Sequence, residues 1–149
     1  MLTRTLAKNK RIAMIAHDNK KQELMEWSKY NKVTLQKHEI FATGTTGNLL
    51  EETLDMRVTK MLSGPLGGDQ QIGALIAEGK IDILIFFWDP MAAQPHDPDI
   101  KALLRLGVTW NIPIASDRST ADFLLTSSLF HETYEVKIPN YSEYLKRKL

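Results

Sequence analysis

The run "IDILIFFWD" at residues 81–89 is apolar except for Asp82 and Asp89. A strand with one face in water alternates apolar and polar residues, whereas an unbroken apolar run needs cover on both faces, as in the middle of a parallel sheet. Such a strand demands helices on either side. The rest of the chain answers that demand, because short apolar runs alternate with amphipathic stretches from end to end, the pattern of βαβ units. Residues 11–18 ("RIAMIAHD"), 38–44 ("HEIFATG"), 57–64 ("RVTKMLSG") and 112–116 ("IPIAS") are the other strand candidates. Between and after them, "KKQELMEWSKYNK", "TTGNLLEETL", "DQQIGALIAEGK", "IKALLRLGVTWN", "STADFLLTS" and "YSEYLKRKL" read as helices. The third closes at Gly79, and Ser119, with Asp122 three residues on, is the expected N-cap of the fifth. The 149 residues suit one domain. The expectation is therefore an α/β fold: a single three-layer α/β/α domain over residues 1–149 with a five-stranded, mainly parallel, doubly wound sheet.

Composition removes several classes of chemistry. A formal charge of +1 names neither nucleic acid nor an anionic membrane as a partner. The chain has no cysteine, which excludes disulfides, thiolate metal sites and cysteine nucleophiles. No apolar run approaches the roughly 18 residues of a membrane span, and no signal-peptide core follows the basic start, so a cytoplasmic location is expected.

In open parallel sheets ligands bind at the carboxyl ends of the strands. Here those ends are rich in chemistry. "ATGTTGN" (42–48) joins a strand to a helix through Gly44, Thr45, Thr46 and Gly47. It is either an ordinary capped helix start or a cradle in which amides and hydroxyls hold a phosphate. It is neither a Walker loop nor a dinucleotide fingerprint. Asp69 opens a helix after "GPLGG", so it is either that helix's cap or a carboxylate around which glycines leave room for a substrate. "PHDPD" (95–99) offers His96, Asp97 and Asp99 for acid–base work, although one of the two carboxylates suffices as a helix cap. With Asp89 they form a cluster of metal-binding residue types without a recognised spacing, which ranks a metal below acid–base chemistry. His17 and Asp18 end the first strand, and Lys20 and Lys21 follow them.

With "IAHD", "ATGTTGN", "SGPLGGDQQIGALI", "FFWDP" and "PHDPDIKALLRL" in this order, the chain resembles the methylglyoxal synthase family from about residue 11 to its end. The resemblance implies a three-layer α/β/α domain that assembles as a homohexamer. It also implies conversion of dihydroxyacetone phosphate to methylglyoxal and inorganic phosphate, without cofactor or metal, with phosphate as product and candidate inhibitor. Carried over, Asp69 is the base, Asp99 a second carboxylate, and His96 the group that hydrogen-bonds the substrate's oxygens. Lys21, Thr43, Gly44, Thr45, Thr46, Ser63 and Gly64 match the phosphate-binding positions, and His17 and Asp18 line the same pocket. A neutral His96 is expected, since an imidazolium beside Asp69 would weaken it as a base. Where the family carries a C-terminal arginine that reaches a neighbour's phosphate site, this chain reads "LKRKL", with Arg147 and Lys148; Arg105 agrees with the family. Similar domains serve as regulatory modules inside carbamoyl phosphate synthetase and the bifunctional enzyme ending purine biosynthesis. Retention of both Asp69 and His96 favours the synthase over that reading and over a metal-dependent phosphatase.

Overall fold

A computed structural model describes residues 2–93 and 97–147. The strands are β1 (Leu2–Leu6), β2 (Arg11–Ala16), β3 (Glu39–Thr43), β4 (Thr59–Met61), β5 (Ile83–Phe87), β6 (Ile114–Ala115) and β7 (Tyr134–Ile138). The helices are α1 (Lys21–Tyr30), α2 (Lys32–Leu35), α3 (Gly44–Leu54), α4 (Gly68–Ala77), α5 (Asp97–Thr109), α6 (Arg118–Thr126), α7 (Ser128–His131) and α8 (Ser142–Leu145). The main sheet has the order β4-β3-β2-β5-β6, with every pairing parallel. The five expected strands are all present, each shorter than its apolar run.

Period-two alternation sorts side chains to the two faces. Ile12, Met14 and Ala16 of β2, with Ile83, Ile85 and Phe87 of β5, meet Leu24 and Trp27 of α1, Leu50 and Leu54 of α3 and Leu125 of α6. Ala13 and Ile15, with Leu84 and Phe86, meet Ile72 and Ile76 of α4 and Ile100 and Leu103 of α5. Two cores thus enclose one sheet, and all five residues of β5 are buried between them. The apolar run is explained by that double cover.

Three local expectations are corrected. The sequence reading missed β1 and β7, which pair antiparallel as a separate two-stranded ribbon. Asp117, not Ser119, caps α6 by accepting a hydrogen bond from the Thr120 amide at 2.7 Å. Asp122 is drawn elsewhere, accepting the Trp27 indole N–H at 2.8 Å. The C-terminal helix is only the four residues of α8, and Arg147 beyond it stacks on the Tyr144 ring at 4.5 Å.

Candidate active site

At the carboxyl ends of β2, β3, β4 and β5 lies a cleft of about 560 Å³. Its described lining includes His17, Asp18, Lys21, Thr43, Gly44, Thr45, Thr46, Ser63, Gly64 and Asp69. These expected residues, drawn from the exits of β2, β3 and β4, stand together there. Asp99 is in the first turn of α5, half-buried, and is not part of that lining. His96 and Lys148 lie outside the described residues. Arg105 is exposed on α5.

One wall is the start of α3. Thr43 occupies the N-cap position, yet its hydroxyl makes no capping hydrogen bond. The amides of Thr45 and Thr46, in the first turn, have no intrahelical acceptor. Gly44 is different, because its amide donates to the Leu62 carbonyl at 3.2 Å and so ties this helix start to the strand-end loop after β4. Lys21 brings a cation to the same wall, donating to Thr45 Oγ1 at 2.8 Å and to Asp18 Oδ1 at 2.6 Å. The Lys21 hydrogen bond and charge hold the Asp18 carboxyl below its ordinary range. Free amides, threonine hydroxyls and one ammonium form a cradle for a phosphate-sized anion.

Facing it is Asp69, the second residue of α4 and only 4% exposed. The N-cap of that helix is Gly67, at φ +111°, a conformation that strongly favours glycine. Asp69 is therefore not the capping residue. The glycines beside it are fixed by space: a Cβ on Gly68 would collide with the Leu62 carbonyl, and one on Gly64 would stand 3.1 Å from Asp69 Oδ2. Gln71 keeps the loop in place, its Oε1 accepting the Leu62 amide at 2.8 Å. The result is a buried carboxylate in the lining of the cleft, beside an anion cradle. That combination fits removal of a proton from a small phosphorylated substrate.

The third side is built from His17 and Asp89. His17 packs edge-on against Phe86, ring centroids 5.2 Å apart, and its Nδ1 accepts the Asp89 amide at 2.9 Å. Asp89 Oδ2 accepts from Asn19 Nδ2 and Oδ1 from the Met91 amide, each at 3.0 Å. These two hydrogen bonds, Asn19 first, hold the Asp89 carboxyl below its ordinary range. Sequence reasoning gave Asn19 and Gln71 no role; their position at strand ends was visible, but their partners are distant in the chain. Among the described residues no three His, Asp or Glu side chains are grouped to hold a metal ion.

The chain matches known proteins along almost its whole length. Residues 23–116 match the family model described as "MGS-like domain". The methylglyoxal synthase of Proteus mirabilis is 60% identical over 148 residues, 99% of this chain and 97% of that protein. That of Sodalis glossinidius is 58% identical over 147 residues, 99% of this chain and 96% of that protein. The crystal structure of methylglyoxal synthase from Elizabethkingia anophelis superimposes with a TM-score of 0.94 at 53% identity, covering 100% of this chain and 98% of the other.

Proposed function

The chain belongs to the methylglyoxal synthase family, and on that premise we propose that it converts dihydroxyacetone phosphate to methylglyoxal and inorganic phosphate. The observation that carries this reading is the buried, non-capping Asp69 set across an open cleft from the α3 anion cradle. The phosphate group binds the Thr45 and Thr46 amides, the hydroxyls of Thr43, Thr45 and Ser63, and Lys21. Binding there brings the three-carbon body against Asp69.

The Asp69 carboxylate then takes a proton from the hydroxymethyl carbon beside the carbonyl, and the C–H electron pair forms the enediolate. Negative charge grows on the carbonyl oxygen, where a neutral His96 donates a hydrogen bond. Next, the proton of the enediolate's terminal hydroxyl passes to the former carbonyl oxygen; the electron pair left on the terminal oxygen forms the aldehyde C=O, the C=C bond shifts, and the C–O bond to phosphate breaks, leaving the enol of methylglyoxal. That enol gives up its O–H proton and takes one on its methylene carbon to give the product. Elimination rather than isomerisation follows if the cradle holds the C–O bond out of the enediolate plane, overlapping the π system. Asp99, three residues after His96, is the second carboxylate assigned to that side.

The active form is read as a cytoplasmic homohexamer. Large apolar side chains on the described surface, among them Tyr30 at 87% and Phe123 at 79% exposed, agree with burial by other copies. No helix among the described residues is long and apolar enough to cross a membrane. The test is to incubate purified protein with dihydroxyacetone phosphate in EDTA, trapping methylglyoxal as a quinoxaline and measuring phosphate. Equal yields of the two products support the reading; glyceraldehyde 3-phosphate as main product contradicts the elimination step.

A further inference from the structure

His17 and Asp89 meet where two neighbouring parallel strands run out. β2 and β5 pair up to Ala16 and Phe87, and the His17 amide adds one more bond to the Phe87 carbonyl at 3.2 Å. Past that point the ladder has ended, and hydrogen bonds made by side chains join the two exits. Asn19, in the single turn of 3-10 helix after β2, supplies that link by donating to the buried Asp89 carboxylate. The Asp89 backbone amide in turn points at His17 Nδ1. A backbone amide only donates, so Nδ1 must accept, and the neutral ring carries its proton on Nε2. Protonation at Nδ1 would set two N–H groups against each other.

We propose that Asn19 is a positioning residue for the reaction: by anchoring the Asp89 carboxylate it directs the Asp89 amide, which fixes the orientation and tautomer of His17 at the wall of the cleft. The relay has three members and two distances, 3.0 Å from Asn19 to Asp89 and 2.9 Å from Asp89 to His17. The Met91 amide on the second oxygen holds the carboxylate from the other side. Without Asn19 that carboxylate has only one of its two anchors, and the strand exit that carries its amide is free to rotate. His17 then loses the donor that selects its tautomer. A ring that exchanges tautomers changes which of its nitrogens donates at the wall of the cleft that His17 lines.

Two full-length variants test this. Asn19→Leu keeps the bulk and removes the donor; Asn19→Asp keeps the shape and opposes one carboxylate with another. The first readout is the pair of His17 ring nitrogens by ¹⁵N NMR in the protein without substrate. The wild type is expected to show Nδ1 unprotonated and Nε2 protonated, and both variants a mixture of tautomers. The second readout rests on the reaction proposed above: kcat falls about tenfold, less than deletion of a transition-state donor costs, while KM hardly moves. An unchanged His17 signature in either folded variant, or a wild-type ring protonated on Nδ1, overturns the proposal. A ring that responds as expected in a wild-type protein that turns over no dihydroxyacetone phosphate sustains the tether and contradicts the assigned reaction instead.

Discussion

A carboxylate in the first turn of a helix is ordinarily explained by capping, and the explanation fails for Asp69 because Gly67 holds the cap position. What fixes its surroundings is steric. Gly64→Ala would place a methyl group 3.1 Å from Asp69 Oδ2, in the lining of the cleft. That variant is expected to fold with little change in thermal midpoint and to lose at least about tenfold in kcat/KM, as a misplaced reacting group does. A variant as active as the wild type would show that the space near Gly64 is not used. Lys21→Met tests the opposite wall. Losing one hydrogen bond to a charged group costs about 1.5–3 kcal/mol, so KM and the inhibition constant for inorganic phosphate should both rise roughly tenfold or more. Unchanged phosphate inhibition would remove Lys21 from the cradle. Gly64 and Lys21 entered as candidates through the family resemblance, since a lysine after a strand end is ordinarily no more than part of a solvated face. The choice between cap and base was not legible, because it depends on a backbone angle at Gly67 that several sequences of this kind permit.

At the scale of elements, the β1–β7 ribbon is held to the main body by charge. Arg4 reaches Asp82 at 2.9 Å, and Arg11 engages the same carboxylate through its amide and its guanidinium. Burial opposes ionisation of Asp82, but the Arg11 and Arg4 hydrogen bonds outweigh it and leave its carboxyl below the ordinary range. Lys10, also buried, donates to the Ala7 and Glu132 carbonyls and ties the loop after β1 to the entry of β7. Asp82→Asn should cost on the order of 3 kcal/mol, the low end for breaking a buried pair, because both arginines stay partly exposed. Hydrogen exchange should accelerate in β1 and β7 before the five-stranded sheet responds; uniform acceleration would contradict this anchoring. The main sheet was legible because each strand carries its own apolar run and each crossover its own helix. The ribbon was not, because "LTRTL" and "YEVKI" are mostly exposed and pair across more than a hundred residues of sequence. The cap of α6 was misplaced for a related reason. Asp117 and Ser119 both have capping chemistry, and the contact that recruits Asp122 comes from Trp27 on another helix.

At the scale of the whole molecule, one buried histidine makes stability depend on pH. His38 is 7% exposed; its Nδ1 accepts the Lys10 amide at 2.8 Å, and its ring packs on Phe130. Burial, then the charges of Lys10, His131 and Lys37, lower its pKa from 6.5 to about 4. The unfolded chain therefore binds the proton more readily. The neutral ring's contribution is fully present above pH 6.5 and is lost as pH falls through about 4, a change on the order of 3 kcal/mol. Urea unfolding of the wild type and His38→Gln between pH 4 and 7 should show that slope only in the wild type, and parallel curves would contradict it. Assembly is a second property at this scale, and sedimentation should find six copies of the 17.0 kDa chain; a monomer at assay concentration would contradict the hexamer. The central claim, that Asp69 is the base, is tested most directly by comparing Asp69→Asn with the wild type for phosphate release from dihydroxyacetone phosphate and for binding of inorganic phosphate. A general base is worth about 10²–10⁴-fold, so turnover should fall by at least that much while phosphate binds as before. A folded variant that still releases phosphate within tenfold of the wild-type rate would show that the proton goes elsewhere.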